Sequence, residues 1–327
     1  MRRSLLAISL LALASCGSDG GKDAGDISVT PPSTPTPSPV PTSTPTPTPP
    51  PSPAPAGVAR FDQLTGTTTL EAASGGFSGL FSSGGGLPHG RGVTAFGEAT
   101  PYRYNPQART ISTVRPANLT ETTFVASDID ATAPAGTVRY AKADGEQLIL
   151  TQPAPGGAGL LWTRFIEHSW IVSGGKDRVI AITGVPTPIS QIPTSGSATF
   201  TRTLVVGDAY VVDNLARQVT AYDLSASTIS ASIDYSTRRI TFSLDLIGRT
   251  AGNSASIPLV TITGTTDFDG DSPSVTAVSQ TFTTTAGFEI AAALFGTSGA
   301  EAGGVFEYVG TGGSRILYLT GRLAAAK

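Results

Sequence analysis

Phe288-Glu289-Ile290-Ala291-Ala292-Ala293-Leu294-Phe295-Gly296-Thr297-Ser298-Gly299-Ala300-Glu301-Ala302-Gly303-Gly304-Val305-Phe306-Glu307-Tyr308-Val309-Gly310 decides the fold. Two apolar-rich runs, 287–294 and 303–309, read as strands on either side of a Gly-Thr-Ser-Gly connection. Gly296 and Gly299 suit a tight turn in which positive φ is needed. Gly303 and Gly304 let strands bend or approach closely.

Outward from this hairpin the period stays near two. Ile229, Ala231, Ile233 and Tyr235 alternate with Ser230, Ser232 and Asp234, and Ile240, Phe242, Leu244 and Leu246 with Thr241, Ser243 and Asp245. Ser236-Thr237-Arg238-Arg239 connects the two runs, and Tyr140 to Leu150 repeats the arrangement around Asp144-Gly145, a strong hairpin signal. Further strands are predicted near 101–105, 109–114, 198–206, 257–265, 275–283 and 315–323. Residues 58–327 are rich in Thr, Ser, Gly and Ala, and long helical periodicity is absent. Many short strands with Gly-rich turns predict an all-β chain, an antiparallel sandwich or barrel. Sparse aromatic residues argue against a membrane-spanning barrel, which needs aromatic girdles.

The beginning of the chain is different. Arg2 and Arg3 precede an apolar run, Leu5 to Ala14, of signal-peptide length and too short to span a bilayer. It ends in Leu13-Ala14-Ser15-Cys16, which resembles the lipobox of bacterial lipoproteins. That resemblance implies cleavage before Cys16 and lipid attachment to it, with residues 1–15 as the signal peptide. Cys16 is the only cysteine of the chain and has no disulfide partner within it. Gly17 and Ser18 follow it, with no Asp to favour inner-membrane retention, so an outer-membrane, surface location is expected. Residues 16–57 are expected to form a disordered linker: 31–55 is almost wholly Pro, Thr and Ser, a composition that predicts extended polyproline II with a reach on the order of 80 Å.

The 288–310 stretch is similar to the closing hairpin of the β-barrel domain of the transferrin-binding protein B family of surface lipoproteins, which carries an aromatic-Gly, Ala-Glu and Gly-Gly-x-Phe. Phe295-Gly296, Ala300-Glu301 and Gly303-Gly304-Val305-Phe306 fill those places, and Thr297-Ser298-Gly299 departs from the family's Pro-Asn. Ile192 to Phe200 is similar to the opening strand, Ser230 to Leu246 to the central hairpin, and Leu259 to Gly270 to the strand before the last pair. Weaker likeness extends to Leu160-Leu161-Trp162 and Gly184-Val185-Pro186-Thr187-Pro188. The resemblance implies a single lobe: a β-rich handle over 58–191, with Ser74-Gly75-Gly76 and Ser83-Gly84-Gly85-Gly86 as loops, and an eight-stranded antiparallel barrel over 192–327. Phe295 and Phe306 are expected to fill the barrel interior. The family's founding members have two such lobes and this chain has room for one, which puts transferrin itself in doubt as cargo.

Catalytic constellations are poor, and no enzyme activity, cofactor or metal is expected. His89 and His168 lie far apart, with no nucleophile elbow nearby; haem or metal ligation by either is an alternative to a surface or packed role. Ser173-Gly174-Gly175-Lys176 matches Ser-x-x-Lys but lacks Lys-Thr-Gly and Ser-Asp-Asn. Asp267-Phe268-Asp269-Gly270-Asp271 lacks the glycine placement and terminal Glu of a calcium loop. A net charge of −3 with scattered Lys and Arg excludes a nucleic-acid surface. The expected function is capture of a cargo protein or an iron- or haem-containing solute, with handover to an outer-membrane receptor. The alternatives are a structural or host-interaction lipoprotein and a direct haem or metal carrier. Two loops are candidate partner sites: segment 74–91, with Phe77, Leu80, Phe81 and Leu87, and the loop Arg249 to Ser256; the alternative for the four apolar residues is that they tuck into the handle's core.

Overall fold

The computed structural model describes residues 57–80, 89, 90, 92–115, 119–172, 175–216, 218–251, 255–268, 274–279 and 287–327. Every strand pairing among them is antiparallel, as the alternating pattern and short connections require.

A four-stranded sheet runs in the order β1 (Thr68–Leu70), β4 (Tyr102–Asn105), β5 (Thr110–Arg115), β6 (Thr120–Phe124). A six-stranded sheet runs β3 (His89–Gly90), β2 (Ala72–Leu80), β10 (Gly175–Gly184), β9 (Thr163–Val172), β8 (Gln147–Thr151), β7 (Thr137–Ala141). The hairpin between β7 and β8 is the one Asp144-Gly145 predicts, and Gly145 has φ +87°. These two handle sheets enclose a core that includes Leu70, Tyr102, Ile111, Phe124, Tyr140, Leu148 and Ile166.

The third sheet holds β11 (Ser197–Phe200), β12 (Arg202–Asp213), β13 (Gln218–Asp223), β14 (Thr228–Asp234), β15 (Arg239–Arg249), β16 (Ser256–Asp267), β17 (Ser274–Ser279), β18 (Gly287–Phe295), β19 (Glu301–Gly312) and β20 (Arg315–Ala326). β11–β12 pairs with β13–β14 in a single register, from Ser197 opposite Asp234 to Asp213 opposite Gln218, so each pair is one interrupted strand. Eight runs result, as expected of the barrel. The wall is the expected eight-stranded antiparallel barrel, left without a β16–β17 ladder among the described residues. Pro258 sits where the β15–β16 register shifts, a place that tolerates a missing N–H.

The inner face is apolar, with Phe242, Leu244, Ile262, Phe288, Phe306, Leu319 and Leu323 in one buried cluster. Ser230, Thr241, Ser243, Thr263 and Thr265, on the opposite face of β14–β16, are at least partly exposed. Apolar inside and hydroxyl outside is the reverse of a membrane-spanning barrel. Among the described residues no helix is long and apolar enough to cross a membrane.

The six-stranded sheet is buried on both faces, between the four-stranded sheet and the barrel wall. β10 reads accordingly as a continuous apolar run, Val179-Ile180-Ala181-Ile182, with Ala181 in the handle core and Ile182 against Phe295 and Val305 of the barrel. β2 corrects the expectation of a loop at Ser74-Gly75-Gly76. It is a strand against β10, and a Cβ at Gly76 would strike the backbone carbonyl of Arg178. Arg178 pairs with Asp208 and Glu167, and Glu167 with Arg322, so the interface also carries charge.

Candidate functional site

The closing hairpin is a joint between handle and barrel. Gly296 has φ +73° and ψ −169°, a region essentially restricted to glycine, and the Trp162 ring occupies the place a Cβ would take. Glu301 is buried on β19. Its carboxylate accepts the backbone N–H groups of Leu161, Trp162 and Thr163 at 2.6, 3.1 and 3.0 Å, and the Thr163 hydroxyl at 2.8 Å. Gly303 gives room to Ile182. The connecting segment joins too: the Thr187 N–H donates to Leu294 O and the Gly296 N–H to Val185 O. Phe306 fills the barrel interior as expected. Phe295 does not: it faces the handle, edge-on to Phe96 at 5.6 Å, because alternation along β18 turns it outward.

His168 is buried on β9 and paired with Glu146 at 2.7 Å. Arg115 forks onto the same carboxylate, with Nε at 2.9 Å, and the Thr122 hydroxyl adds 3.0 Å. Burial pushes the Glu146 carboxyl up, but the bonds from His168, Arg115 and Thr122 outweigh it and hold it well below the usual range. Phe124 and Trp170 pack on the imidazole. His168 is 1% exposed and its Nε2 is engaged by Glu146, which favours the packed role over the haem-ligand alternative. The side chain of His89 lies outside the described residues. Among the described residues no group of three His, Cys, Asp or Glu side chains could hold a metal ion.

Phe77 is completely buried, edge-on to Tyr210 at 5.4 Å against the barrel wall, the packing role that the sequence leaves open beside the partner-site reading. The side chain of Leu80, the whole of Phe81 and Leu87, and Cys16 lie outside the described residues. The end of that segment is pinned to the barrel. Gly92 and Val93 donate their N–H groups to Glu307 and Glu289 at 3.0 and 2.9 Å, from opposed positions on β19 and β18. Burial, with Glu289 beside it, lifts the Glu307 carboxyl to about 7.

An exposed apolar surface does exist, at the far end of the barrel. Residues near the ends of β12, β13, β16, β19 and β20 line it; in the candidate loop Arg249 to Ser256, residues 252–254 lie outside the described residues. A depression of about 360 Å³ is lined by Tyr222, Ile257, Pro258, Leu259, Tyr308 and Leu317, with Arg315 among them. Leu215, in the β12–β13 turn, is 85% exposed, and Val219 and Ile257 are also exposed at this end. Arg315 pairs with Asp213 at 3.3 Å. Nothing in the periodicity marks Leu215, since it stands alone among turn residues.

Strand order and joint define a handle-and-barrel lobe. No family model matches the chain, and no curated protein matches it. Solved structures similar to it include transferrin-binding protein B from Haemophilus parasuis Hp5, at 12% identity and a TM-score of 0.39 over 71% of this chain and 55% of that one. Isotype 1 transferrin-binding protein B from serogroup B Neisseria meningitidis is similar at 10% identity and a TM-score of 0.37, over 71% of this chain and 53% of that one. HpuA from Kingella denitrificans, in complex with human haemoglobin, is similar at 13% identity and a TM-score of 0.35, over 84% and 91%. The chain spans about half the length of the transferrin-binding proteins it matches.

Proposed function

We propose that this chain is a surface-anchored binding protein, not an enzyme, that captures a host iron-carrying protein or an iron- or haem-bearing solute through the loop end of its barrel. The observation that carries this reading is the depression lined by exposed Ile257, with exposed Leu215 in the β12–β13 turn at the same end of the barrel. Exposed apolar side chains grouped around a concavity are how partner sites are built, and loops on a rigid β scaffold can vary without loss of the core. The closing hairpin's resemblance to transferrin-binding protein B supports iron or haem acquisition as the purpose, with handover to an outer-membrane receptor. Transferrin and haemoglobin, named for the similar structures, are the first cargoes to test.

A double variant, Leu215→Asp with Ile257→Asp, is expected to weaken cargo binding at least tenfold, about 1.4 kcal/mol, measured on immobilised haemoglobin or transferrin by interferometry. Both side chains are exposed, so the melting temperature is expected to stay unchanged. Binding of either cargo that the double variant leaves intact would move the site elsewhere. Failure of the wild type to bind either cargo or haem would favour a structural or host-interaction role.

We propose that Cys16 carries the lipid and that 16–57 is the stalk lifting the lobe from the outer membrane. Metabolic labelling with a fatty acid is expected to mark the wild type and not Cys16→Ser. Label retained by the variant would remove the anchor.

A further inference from the structure

The depression at the loop end has the barrel's own core as its floor. Tyr308 is buried in the cluster that fills the interior, and Tyr222, Leu259 and Leu317 pack on that cluster from β13, β16 and β20. Exposed Ile257 and Arg315 line the depression nearer the strand ends. Two glycines leave room for the aromatic rings. The Tyr308 ring lies across Gly310, where a Cβ would strike the phenol oxygen, and Tyr222 lies against Gly248, where a Cβ would crowd both Tyr222 and Leu259. At about 360 Å³ the depression falls at the lower end of the range of small-molecule sites, roughly 300–1,000 Å³. It exceeds twice the roughly 150 Å³ of an apolar cavity that accepts benzene, so one ring fits together with its substituents.

Arg315 is the charged residue of the lining. Its side chain is 70% exposed, and its Nε donates to Asp213 at 3.3 Å. Asp213 in turn accepts the N–H groups of Leu215 and Ala216, both at 3.0 Å, so the turn holds Asp213 and Asp213 holds the guanidinium. Among the described residues the terminal nitrogens of Arg315 make no hydrogen bond. They remain available to a carboxylate, which the planar guanidinium matches with two parallel bonds. We propose that the mouth of the barrel binds a small aryl carboxylate, its ring against Tyr222 and Tyr308 and its carboxylate on Arg315. Aromatic pairs contribute beyond the area they bury, which favours a flat ring over an aliphatic one of equal size. The site shares the loop end with the proposed cargo surface, but its test contains no protein cargo, so either can fail alone.

The test is isothermal titration of the full mature chain, carrying Cys16→Ser so that it bears no lipid, with benzoate, phenol and cyclohexanecarboxylate. Benzoate is expected to bind saturably at millimolar concentration or below. Cyclohexanecarboxylate, which keeps the charge and lacks the π system, is expected to bind roughly two- to tenfold more weakly. Phenol, which keeps the ring and lacks the carboxylate, is expected to bind about tenfold more weakly. Arg315→Gln is expected to weaken benzoate about tenfold and to leave phenol unchanged. The melting temperature is expected to stay the same, because the side chain is exposed. Tyr222→Ala, with folding checked by its melting curve, is expected to erase the preference for benzoate over cyclohexanecarboxylate. Absence of saturable benzoate binding by the parent chain would overturn the proposal. So would undiminished benzoate binding by Arg315→Gln, which would place the carboxylate elsewhere, or equal binding of benzoate and cyclohexanecarboxylate, which would leave an apolar depression with no recognition of an aromatic ring.

Discussion

Glu301→Ala is expected to lower the melting temperature by roughly 10 °C or more. The lost carboxylate is the shared acceptor of three consecutive backbone N–H groups and a hydroxyl at the entry to β9. Each buried polar group left unsatisfied costs roughly 1–3 kcal/mol, and alanine reaches none of them. The loss is therefore expected to exceed about 3 kcal/mol in urea unfolding. Trp162, held between Glu301 and Gly296, should report local loosening as a red-shifted emission. A change under about 1 kcal/mol would mean that water replaces the carboxylate and the joint is held by packing alone.

Glu146→Ala strikes the handle core. It leaves the Arg115 guanidinium without its fork and strips His168 and Thr122 of their shared partner. Removing one member of a fully buried ion pair costs about 3–5 kcal/mol; Arg115 is partly exposed and keeps Asp144 at 3.8 Å, so a loss below that range is expected. Glu146→Gln should lose less, since an amide oxygen still accepts a hydrogen bond. The pH dependence separates charge from shape. The folded carboxyl lies below its ordinary value of 4.5, so its contribution is present above that value and is lost as the pH falls toward the folded one. Wild-type stability is expected to decline over that acid range with a component that Glu146→Gln lacks. Equal acid slopes for the two proteins would place the charge dependence elsewhere.

Hairpins were the legible part of this fold. Ser230 to Leu246 alternates over two full runs, and Asp144-Gly145 needs only a local left-handed residue, so both are decided within a few residues. β2 was illegible because Ser74-Gly75-Gly76 resembles a loop by composition. Gly76 is small because the backbone of β10 leaves no space for a Cβ, a tertiary cause with no local trace. Phe77 could not be told from an exposed anchor without Tyr210, 133 positions away in sequence. The motif around Gly296 and Glu301 identified the hairpin correctly, yet its role as a joint depends on Trp162 and Ile182, which alternation along β18 and β19 cannot name. His168 found its partner Glu146 across the β8–β9 pairing, a contact that requires the register and not the composition.

The joint also settles how the lobe bears a load. Val58 lies there: its carbonyl accepts from the Trp162 indole at 3.2 Å and its N–H donates to the Thr297 hydroxyl. The loop end lies at the other extremity of β19, whose twelve residues span roughly 40 Å. Tension applied between a ligand at the loops and the chain entering at Val58 therefore runs along β18, β19 and β20. The ladders between these strands are then sheared, so that many hydrogen bonds share the force at once, where a pull across the strands would open them one by one. A lobe built this way resists being drawn apart along its strands.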